Sequence, residues 1–236
     1  MNNTLTNNKI KNYAKLKDKK YRNLWNLFII EGQHLITEAQ NSEIEILDIL
    51  TSDPKMDGTL VNETIIKKIS SSITPPKIIA ICKKPLAKEL KNKVILLDNL
   101  QDPGNVGNII RNAKAFGFSD VIVSGVDIFN PKVIQASQGA IFQINCFNLK
   151  KSSEHFLQTK SANYQIIGSF LDLEAQQIDS LKVAEKHIII FGNEGQGISK
   201  NLVNFIDKKI YIPIDFESLN VASAAAIILY KLRGNF

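Results

Sequence analysis

The sequence predicts an α/β protein whose larger, C-terminal part is built on a mainly parallel β-sheet. Residues 93–99 form a near-continuous apolar run, which is typical of a strand buried on both faces. From this run to the C-terminus, strand-like and helical segments alternate at the spacing of a parallel sheet. Residues 27–82 alternate in the same way over a shorter length, so we expect a smaller α/β unit before the charged, linker-like residues 83–92.

The elements of the N-terminal unit follow from apolar spacing and from breaker residues. Leu35, Ile36 and Ala39 recur at helical spacing, and Pro75 and Pro76 end a later helix. The predicted order is a strand at 27–30, a helix at 33–40, a strand at 44–51, a loop at 52–59, a helix around 65–69 and a strand at 77–82.

The clearest helix of the C-terminal unit has Val106, Ile109, Ile110 and Ala113 on one face and stops at Gly117. The other elements follow from similar patterns. Predicted strands occupy residues 93–99, 120–124, 140–147, 165–169, 187–191 and 209–212. Further predicted helices occupy residues 131–137, 152–159, 198–206 and 222–232.

Charge is unevenly placed along a chain of ordinary globular composition, with 44% hydrophobic and 22% charged residues. Residues 1–22 contain seven Lys and Arg against Asp18 alone, so this segment carries 7 − 1 = +6, which equals the net charge of the whole chain. A basic segment on a neutral body indicates either a phosphate-bearing partner or a solvated terminal helix. The sequence leaves these two interpretations open.

The sequence lacks the features that are usual in several classes of protein. Cys82 and Cys146 form neither a disulfide framework nor a C-x-x-C pair, and three scattered His do not suggest a metal site, so no metal is expected. The N-terminus has no apolar signal core, and no apolar run reaches the roughly 18 residues needed to span a bilayer. We therefore expect a cytoplasmic protein with reduced thiols and no membrane association.

Three polar segments follow predicted strands of the C-terminal unit: residues 98–108, residues 192–197, and the turn Ser218-Leu219-Asn220 before the last helix. The carboxyl ends of parallel strands meet at one edge of a sheet, where ligands bind, so the three segments can form one cleft. A Ser or Asn in the turn can also cap free N–H groups of the last helix. An ordinary cap on a buried core helix explains that turn equally well when it is taken alone.

The glycine pattern excludes the common nucleotide-binding loops. No G-x-G-x-x-G follows the first strand of the C-terminal unit, and no Walker lysine follows either glycine cluster. Gly192, Gly195 and Gly197 instead permit close approach of another backbone. Arg111 lies off the apolar face of its helix and is either a surface arginine or a site residue, while Glu194 among glycines favours a functional role.

Three motifs in a fixed order point to a known family. They are D-P-G-N-V-G-N-I-I-R-N-A-x-A-F-G at residues 102–117, I-I-F-G-N-E-G-x-G-I at residues 189–198 and I-P-I-D-F-E-S-L-N-V-A-S-A at residues 212–224. The set closely resembles the SpoU/TrmH family of RNA ribose methyltransferases, in the SPOUT superfamily. Residues 28–39 look, less specifically, like the start of that family's ribosomal-protein-like N-terminal α/β domain.

The resemblance implies a SPOUT methyltransferase domain at residues 91–236 with a deep C-terminal trefoil knot, an RNA substrate-binding domain at residues 26–90 and a basic arm at residues 1–25. It also implies a homodimer that binds S-adenosyl-L-methionine in the knot. Positions that match the family's cofactor contacts are Gly192, Asn193, Gly197, Ile212 and Leu219. Positions that match the residues around the reacting groups are Asn105, Arg111, Glu194, Ser218 and Asn220.

The activity implied by the resemblance is methyl transfer to a ribose 2′-hydroxyl of RNA, with 23S ribosomal RNA as the expected substrate and transfer RNA as the alternative. A catalytically silent RNA-binding protein on the same fold is a further alternative, against which the intact polar set argues. An oxidoreductase with a nucleotide cofactor is disfavoured by the missing dinucleotide motif. Arg111 matches the residue that activates the hydroxyl; because arginine stays protonated, we expect it to hold an RNA phosphate and the forming alkoxide instead of acting as the base.

Overall fold

The computed structural model describes residues 5–172, 174–215 and 217–233. The helices are α1 Asn7–Lys15, α2 Lys19–Trp25, α3 Gln33–Asn41, α4 Glu63–Ile69, α5 Pro103–Ala115, α6 Pro131–Ser137, α7 Ala140–Gln143, α8 Ser153–Lys160 and α9 Val221–Lys231. The strands are β1 Leu27–Glu31, β2 Ile46–Thr51, β3 Thr59–Leu60, β4 Ile78–Lys83, β5 Lys93–Leu100, β6 Asp120–Gly125, β7 Asn145–Asn148, β8 Gln165–Ser169, β9 Gln176–Gln177, β10 His187–Phe191 and β11 Lys208–Tyr211. Two 3-10 helices span Ile178–Ser180 and Lys200–Phe205.

The C-terminal unit is organised around a seven-stranded sheet in the order β7-β6-β5-β10-β8-β11-β9. All of its paired strands are parallel, which confirms the predicted fold class. The central strand β10 is buried along its whole length, and this explains its unbroken apolar sequence. Because β5, β10 and β11 run in the same direction, the segments that follow them lie at the same edge of the sheet.

The N-terminal unit has a four-stranded sheet in the order β1-β4-β2-β3, in which β4 is antiparallel to both β1 and β2. One face of this sheet shares a hydrophobic core with the large unit. Phe28 of β1 contacts Phe129, which lies just before α6, with ring centroids 4.8 Å apart. At the end of β1, Glu31 accepts hydrogen bonds from Ser70 and Ser72 Oγ at 2.6 and 2.7 Å.

Helices α1 and α2, which contain most of the basic N-terminal segment, pack on the N-terminal unit. Ile10, Tyr13 and Leu16 are buried in a second core with apolar residues of its sheet and of α4. Lys9 pairs with the Asp48 carboxylate at 2.9 Å, so its charge is already partly balanced. The basic segment is therefore attached to the fold through apolar contacts from its first described turn.

Arg22 of α2 is a buried member of the basic segment and joins the two units. Its Nε and Nη2 donate to the Asp127 carboxylate at 2.8 and 2.6 Å, and Asp127 follows β6 of the large sheet. Its Nη1 donates to the carbonyls of Leu16 and Lys17 at 2.9 and 2.7 Å. Both charged side chains are at most 5% exposed, so Arg22 cannot contribute to a phosphate-binding surface.

Two predicted elements of the C-terminal unit were wrong in type. The strand predicted at 140–147 divides into α7 and β7, since Gly139, at φ +88°, turns the chain and Ile141 packs into the core. The helix predicted at 198–206 is a 3-10 helix, Lys200–Phe205, that buries only Leu202. Short apolar runs cannot be assigned to helix or strand by periodicity alone.

The structure is consistent with reduced, structural cysteines. Cys82 and Cys146 are unpaired, and burial raises the pKa of the Cys82 thiol to about 12. Across residues 5–172, 174–215 and 217–233, no group of His, Cys, Asp and Glu could hold a metal ion. Within that same part of the chain, every helix is too short or too polar to cross a membrane.

We expect Arg22→Leu to lower the free energy of unfolding by about 3–5 kcal/mol, because Asp127 would be left buried and unpaired. Urea denaturation followed by circular dichroism measures this change. The control is Lys231→Ala, which removes the Lys231–Asp179 pair, whose side chains are 43% and 73% exposed. That exposed pair should contribute less than about 1 kcal/mol. Similar, small losses in both variants would contradict a stabilising role for the buried pair.

Candidate functional site

A cavity of about 420 Å³ opens at the carboxyl-terminal edge of the large sheet, within the range of small-molecule sites. It is built by the loop after β10, by the segment between β11 and α9, and by residues 169–171 after β8. The predicted site residues that line it are Gly192, Asn193, Glu194, Gly197, Ile212, Ser218, Leu219 and Asn220. The second and third predicted motifs therefore meet in one place, and the first, residues 102–117, does not line the cavity.

The loop after β10 is held as a closed turn by its own polar groups. The N–H of Asn193 donates to the Gly197 carbonyl at 3.0 Å, and the N–H of Gly197 donates to the Asn193 carbonyl at 2.9 Å. Asn193 Oδ1 accepts from the N–H groups of Gly195 and Gln196 at 2.9 and 3.1 Å. Its Nδ2 donates to the carbonyl of Asn99 at 2.9 Å, which ties the turn to the end of β5.

Gly192 lies where two backbones touch. A Cβ atom at this position would be 2.2 Å from both the Gly197 carbonyl carbon and the Ile198 nitrogen. Real Cβ atoms do not approach main-chain atoms this closely, so residue 192 must be glycine for the turn to fold back onto β10. By contrast, a Cβ at Gly195 would meet only Asn193 Oδ1, at 3.7 Å.

A chain of amide hydrogen bonds connects the three motifs. Asn105 Nδ2 donates to Glu194 Oε1 at 3.0 Å, and Asn220 Nδ2 donates to Asn105 Oδ1 at 3.0 Å. Asn220 Oδ1 in turn accepts from the N–H groups of Ala222 and Ser223 at 2.8 and 3.4 Å, so Asn220 is the N-cap of α9. This chain fixes the amide orientation of Asn105 and of Asn220, since each oxygen and nitrogen has a partner of the opposite type.

Two predicted site residues, Asn105 and Arg111, do not line the cavity; Asn105 is hydrogen-bonded to residues that do, whereas Arg111 is not. Arg111 is exposed on α5, two turns beyond Asn105. Among the described residues it has no hydrogen-bond or ion-pair partner. Its neighbour Asn112 faces α9, where its Nδ2 donates to the Ala222 carbonyl at 3.4 Å. Within a single chain, Arg111 is therefore outside the wall of the cavity.

Two features of the site were not predicted from the sequence. Asp98, at the end of β5, is buried and accepts hydrogen bonds from Ser153 Oγ at 2.9 Å and from the N–H of Ser199 at 3.0 Å. It anchors the start of α8 and the chain after the closed turn. Residues 169–171 form one wall, and the strand order, with β8 beside β10, is the signal that would have identified them.

The comparison that decides the family covers the unit that contains this cavity. The model of the SpoU rRNA methylase family matches residues 92–230. The chain belongs to this family. A second model, the MRM3-like substrate binding domain, matches residues 7–80 of the SpoU-family chain and so includes α1 and α2.

Related proteins and solved structures of this family match the chain over nearly its whole length. It is 34% identical to the 23S rRNA (guanosine(2553)-2'-O)-methyltransferase RlmP of Bacillus subtilis, over 97% of each chain. It is 31% identical to a TrmH-family structure from Porphyromonas gingivalis, with a TM-score of 0.86 and 97% and 98% of the two chains covered. An AdoMet-bound rRNA methyltransferase from Sinorhizobium meliloti is 25% identical, with a TM-score of 0.83 and 98% and 95% covered.

We expect Gly192→Ala to destabilise the protein by about 1–3 kcal/mol, the usual cost of forcing an extra carbon into a packed region. The backbone at Gly197 and Ile198 would have to move, which would also open the closed turn. Gly195→Ala is the matched control in the same loop and should stay within about 0.5 kcal/mol of wild type. Thermal and urea unfolding of both variants measure the difference. Equal stability of the two variants would contradict the backbone contact.

Proposed function

We propose that this protein is an RNA (ribose-2′-O-)methyltransferase that uses S-adenosyl-L-methionine. The observation that carries the proposal is a cavity lined by two of the family motifs, to which the third is joined by the Glu194–Asn105–Asn220 hydrogen bonds. The names of its relatives add the substrate class. RlmP is a 23S rRNA methyltransferase, and a relative from Aquifex aeolicus, 28% identical over 62% of this chain, is a tRNA (guanosine(18)-2'-O)-methyltransferase.

The cavity fits the cofactor by size and by chemistry. Apolar side chains of Ile212, Leu219 and Val221 form part of the wall and suit an adenine ring. Gly197 also lines the wall, and a Cβ atom there would meet nothing within 4 Å, so a ligand can approach the main chain at this position directly. We propose that Gly192, Asn193, Gly197, Ile212 and Leu219 hold the cofactor in this way.

When bound, S-adenosyl-L-methionine supplies a methyl group on a sulfonium centre that needs no further activation to leave. The protein then has to align a ribose hydroxyl in line with that methyl group and to assist loss of the hydroxyl proton. We propose that Asn105, Glu194, Ser218 and Asn220 orient the ribose at the cavity edge. The hydrogen-bond chain keeps their polar groups fixed, so little reorganisation is needed on substrate binding.

Arg111 is proposed to act in the site of a partner subunit. Its guanidinium is exposed and lies outside the cavity of its own chain. The neighbouring face of α9 exposes Ile227 and Tyr230, at 42% and 53%, which are apolar residues suited to an interface. In a homodimer built on this face, Arg111 would hold the RNA phosphate beside the reacting ribose and stabilise the developing alkoxide. Phosphate or solvent would take the proton, because arginine does not release one.

Further parts of the proposal follow the family pattern. We propose large-subunit ribosomal RNA as the substrate, a cytoplasmic location, an RNA-binding domain at residues 26–90 together with the basic N-terminal helices, and a catalytic domain at residues 91–236. We also propose that the C-terminal segment forms a trefoil knot. In support, the connection from β10 to β11 passes over β8, and the segment after β11 meets the loop after β10 in one cavity.

The activity test is transfer of a labelled methyl group to RNA from cells that lack the protein, followed by mapping of ribose methylation. We expect Arg111→Ala to lower the transfer rate by about 100-fold or more, the scale for loss of a transition-state donor. Calorimetry should show unchanged affinity for S-adenosylhomocysteine and no binding of NAD. Lys114→Ala, which removes an exposed cation from the same helix, is the control and should retain activity. Loss of cofactor affinity together with transfer would show that Arg111 has a structural role.

Mixing of inactive subunits tests whether Arg111 acts across the dimer. Leu219→Arg should fill the cavity and block the cofactor, while Arg111→Ala leaves the cavity intact. If Arg111 acts in the partner's site, random mixed dimers contain one complete site, and an equal mixture should recover about a quarter of the wild-type rate. If Arg111 acts within its own chain, the mixture stays inactive.

A further inference from the structure

One face of α2 bears two adjacent aromatic rings. Tyr21 and Trp25 are four residues apart on the helix, and their ring centroids are 5.1 Å apart with an interplanar angle of 35°. Both are partly exposed, and Leu24 between them is 67% exposed. We propose that this face is a stacking platform for an unpaired nucleotide of the RNA. This proposal rests on the proposed function, because it names where part of that substrate binds.

Two exposed lysines lie close to the Tyr21 ring. Lys15 Nζ and Lys20 Nζ lie 5.3 and 5.7 Å from the centroid of the Tyr21 ring. Asp18, the one acidic residue nearby, already accepts from the N–H of Lys20 at 2.8 Å as the N-cap of α2. A base stacked on Tyr21 would bring its phosphate within reach of these ammonium groups. Aromatic rings combined with cations that follow the backbone are the usual means of binding single-stranded nucleic acid.

Arg22 of the same helix connects α2 to the edge of the sheet that contains the cavity. Arg22 is bound to Asp127, directly after the strand β6. A polar groove of about 500 Å³ runs along this edge and is lined by Asn99, Leu100, Gln101, Gly125, Val126, Asn193 and Gln196. Asn193 lines both the cavity and the groove, and Val126 of the groove precedes Asp127, which binds Arg22 of α2. An RNA strand that leaves the cavity along this groove would run towards α2.

A purely structural role explains only part of these observations. Trp25 packs partly against the core of the N-terminal unit, and this contact accounts for its inner side. It does not account for a tyrosine ring at the surface with two lysines against it, or for the exposed Leu24. A solvated helix with lysines for solubility would give no response of these rings to RNA.

Trp25 is the one tryptophan of the chain, so its fluorescence reports directly on the platform. The full-length protein is titrated with a short single-stranded RNA of mixed sequence and with the same strand in a duplex. We expect the single strand to quench the emission and the duplex to leave it unchanged. Tyr21→Leu should weaken binding of the single strand about tenfold, whereas Tyr21→Phe, which keeps the ring, should bind as wild type does.

A charge-matched pair separates the platform from general attraction to RNA. Lys15→Gln/Lys20→Gln and Lys67→Gln/Lys68→Gln remove the same number of exposed charges from α1–α2 and from α4. We expect the first pair to weaken single-strand binding and reduce its salt dependence more than the second. Tyr21→Leu should also raise the KM for RNA with kcat and the affinity for S-adenosylhomocysteine unchanged.

The outcomes are distinct from those of the activity test. If the wild type methylates RNA but Trp25 emission does not respond to single strands, or if Tyr21→Leu binds and methylates as Tyr21→Phe does, the platform is wrong while the function stands. If both lysine pairs weaken binding equally, the contact is general electrostatics and the platform is likewise wrong. If single-stranded RNA quenches the Trp25 emission but no methyl transfer occurs, the proposed methyltransferase activity is wrong and the proposed RNA contact stands.

Discussion

The backbone contact at Gly192 is the constraint on which the site depends. With no side chain at this position, residues 197 and 198 fold back onto the end of β10 and close the turn. The closed turn directs Glu194 towards α5 and places Gly192 and Gly197 in the cavity wall. A side chain here would displace the wall of the cavity and the acceptor of Asn105 together, so one steric requirement controls both the proposed cofactor site and the polar residues beside it.

The hydrogen bonds between Glu194, Asn105 and Asn220 give the cavity edge a defined polarity. Asn105 donates to the carboxylate and accepts from Asn220, whose oxygen is occupied by the first N–H groups of α9. Neither Asn105 nor Asn220 can rotate its side-chain amide without losing a hydrogen-bond partner. Both side chains are therefore held rigid before any ligand binds. This preorganisation suits a reaction in which the protein mainly aligns a hydroxyl with an already activated methyl group.

The N-terminal unit is fixed to the catalytic unit by polar contacts as well as by a shared apolar core. The buried Arg22–Asp127 pair joins α2 to the loop after β6, and Gln135 of α6 donates to Ser72 Oγ at 3.1 Å beside Glu31. Because Asp127 lies at the edge of the sheet that contains the cavity, the basic helices are held on the side where RNA would enter. Substrate selection by the N-terminal unit can thus be coupled to the site through fixed geometry.

The sequence by itself determined the two α/β units, the parallel sheet and the three loops at one edge, because apolar periodicity and glycine placement are local properties of the chain. Apolar periodicity did not determine which side chains meet, and only the motif resemblance placed Asn105 and Asn220 in one site. Asn105 and Asn220 are 115 positions apart, and Arg22 and Asp127 are 105 positions apart. Their pairing depends on strand order and on how the units pack, and no local pattern encodes either. For the same reason only the tertiary structure decided that Arg22 is buried, that residues 169–171 form a wall of the cavity, and that Arg111 lies outside it.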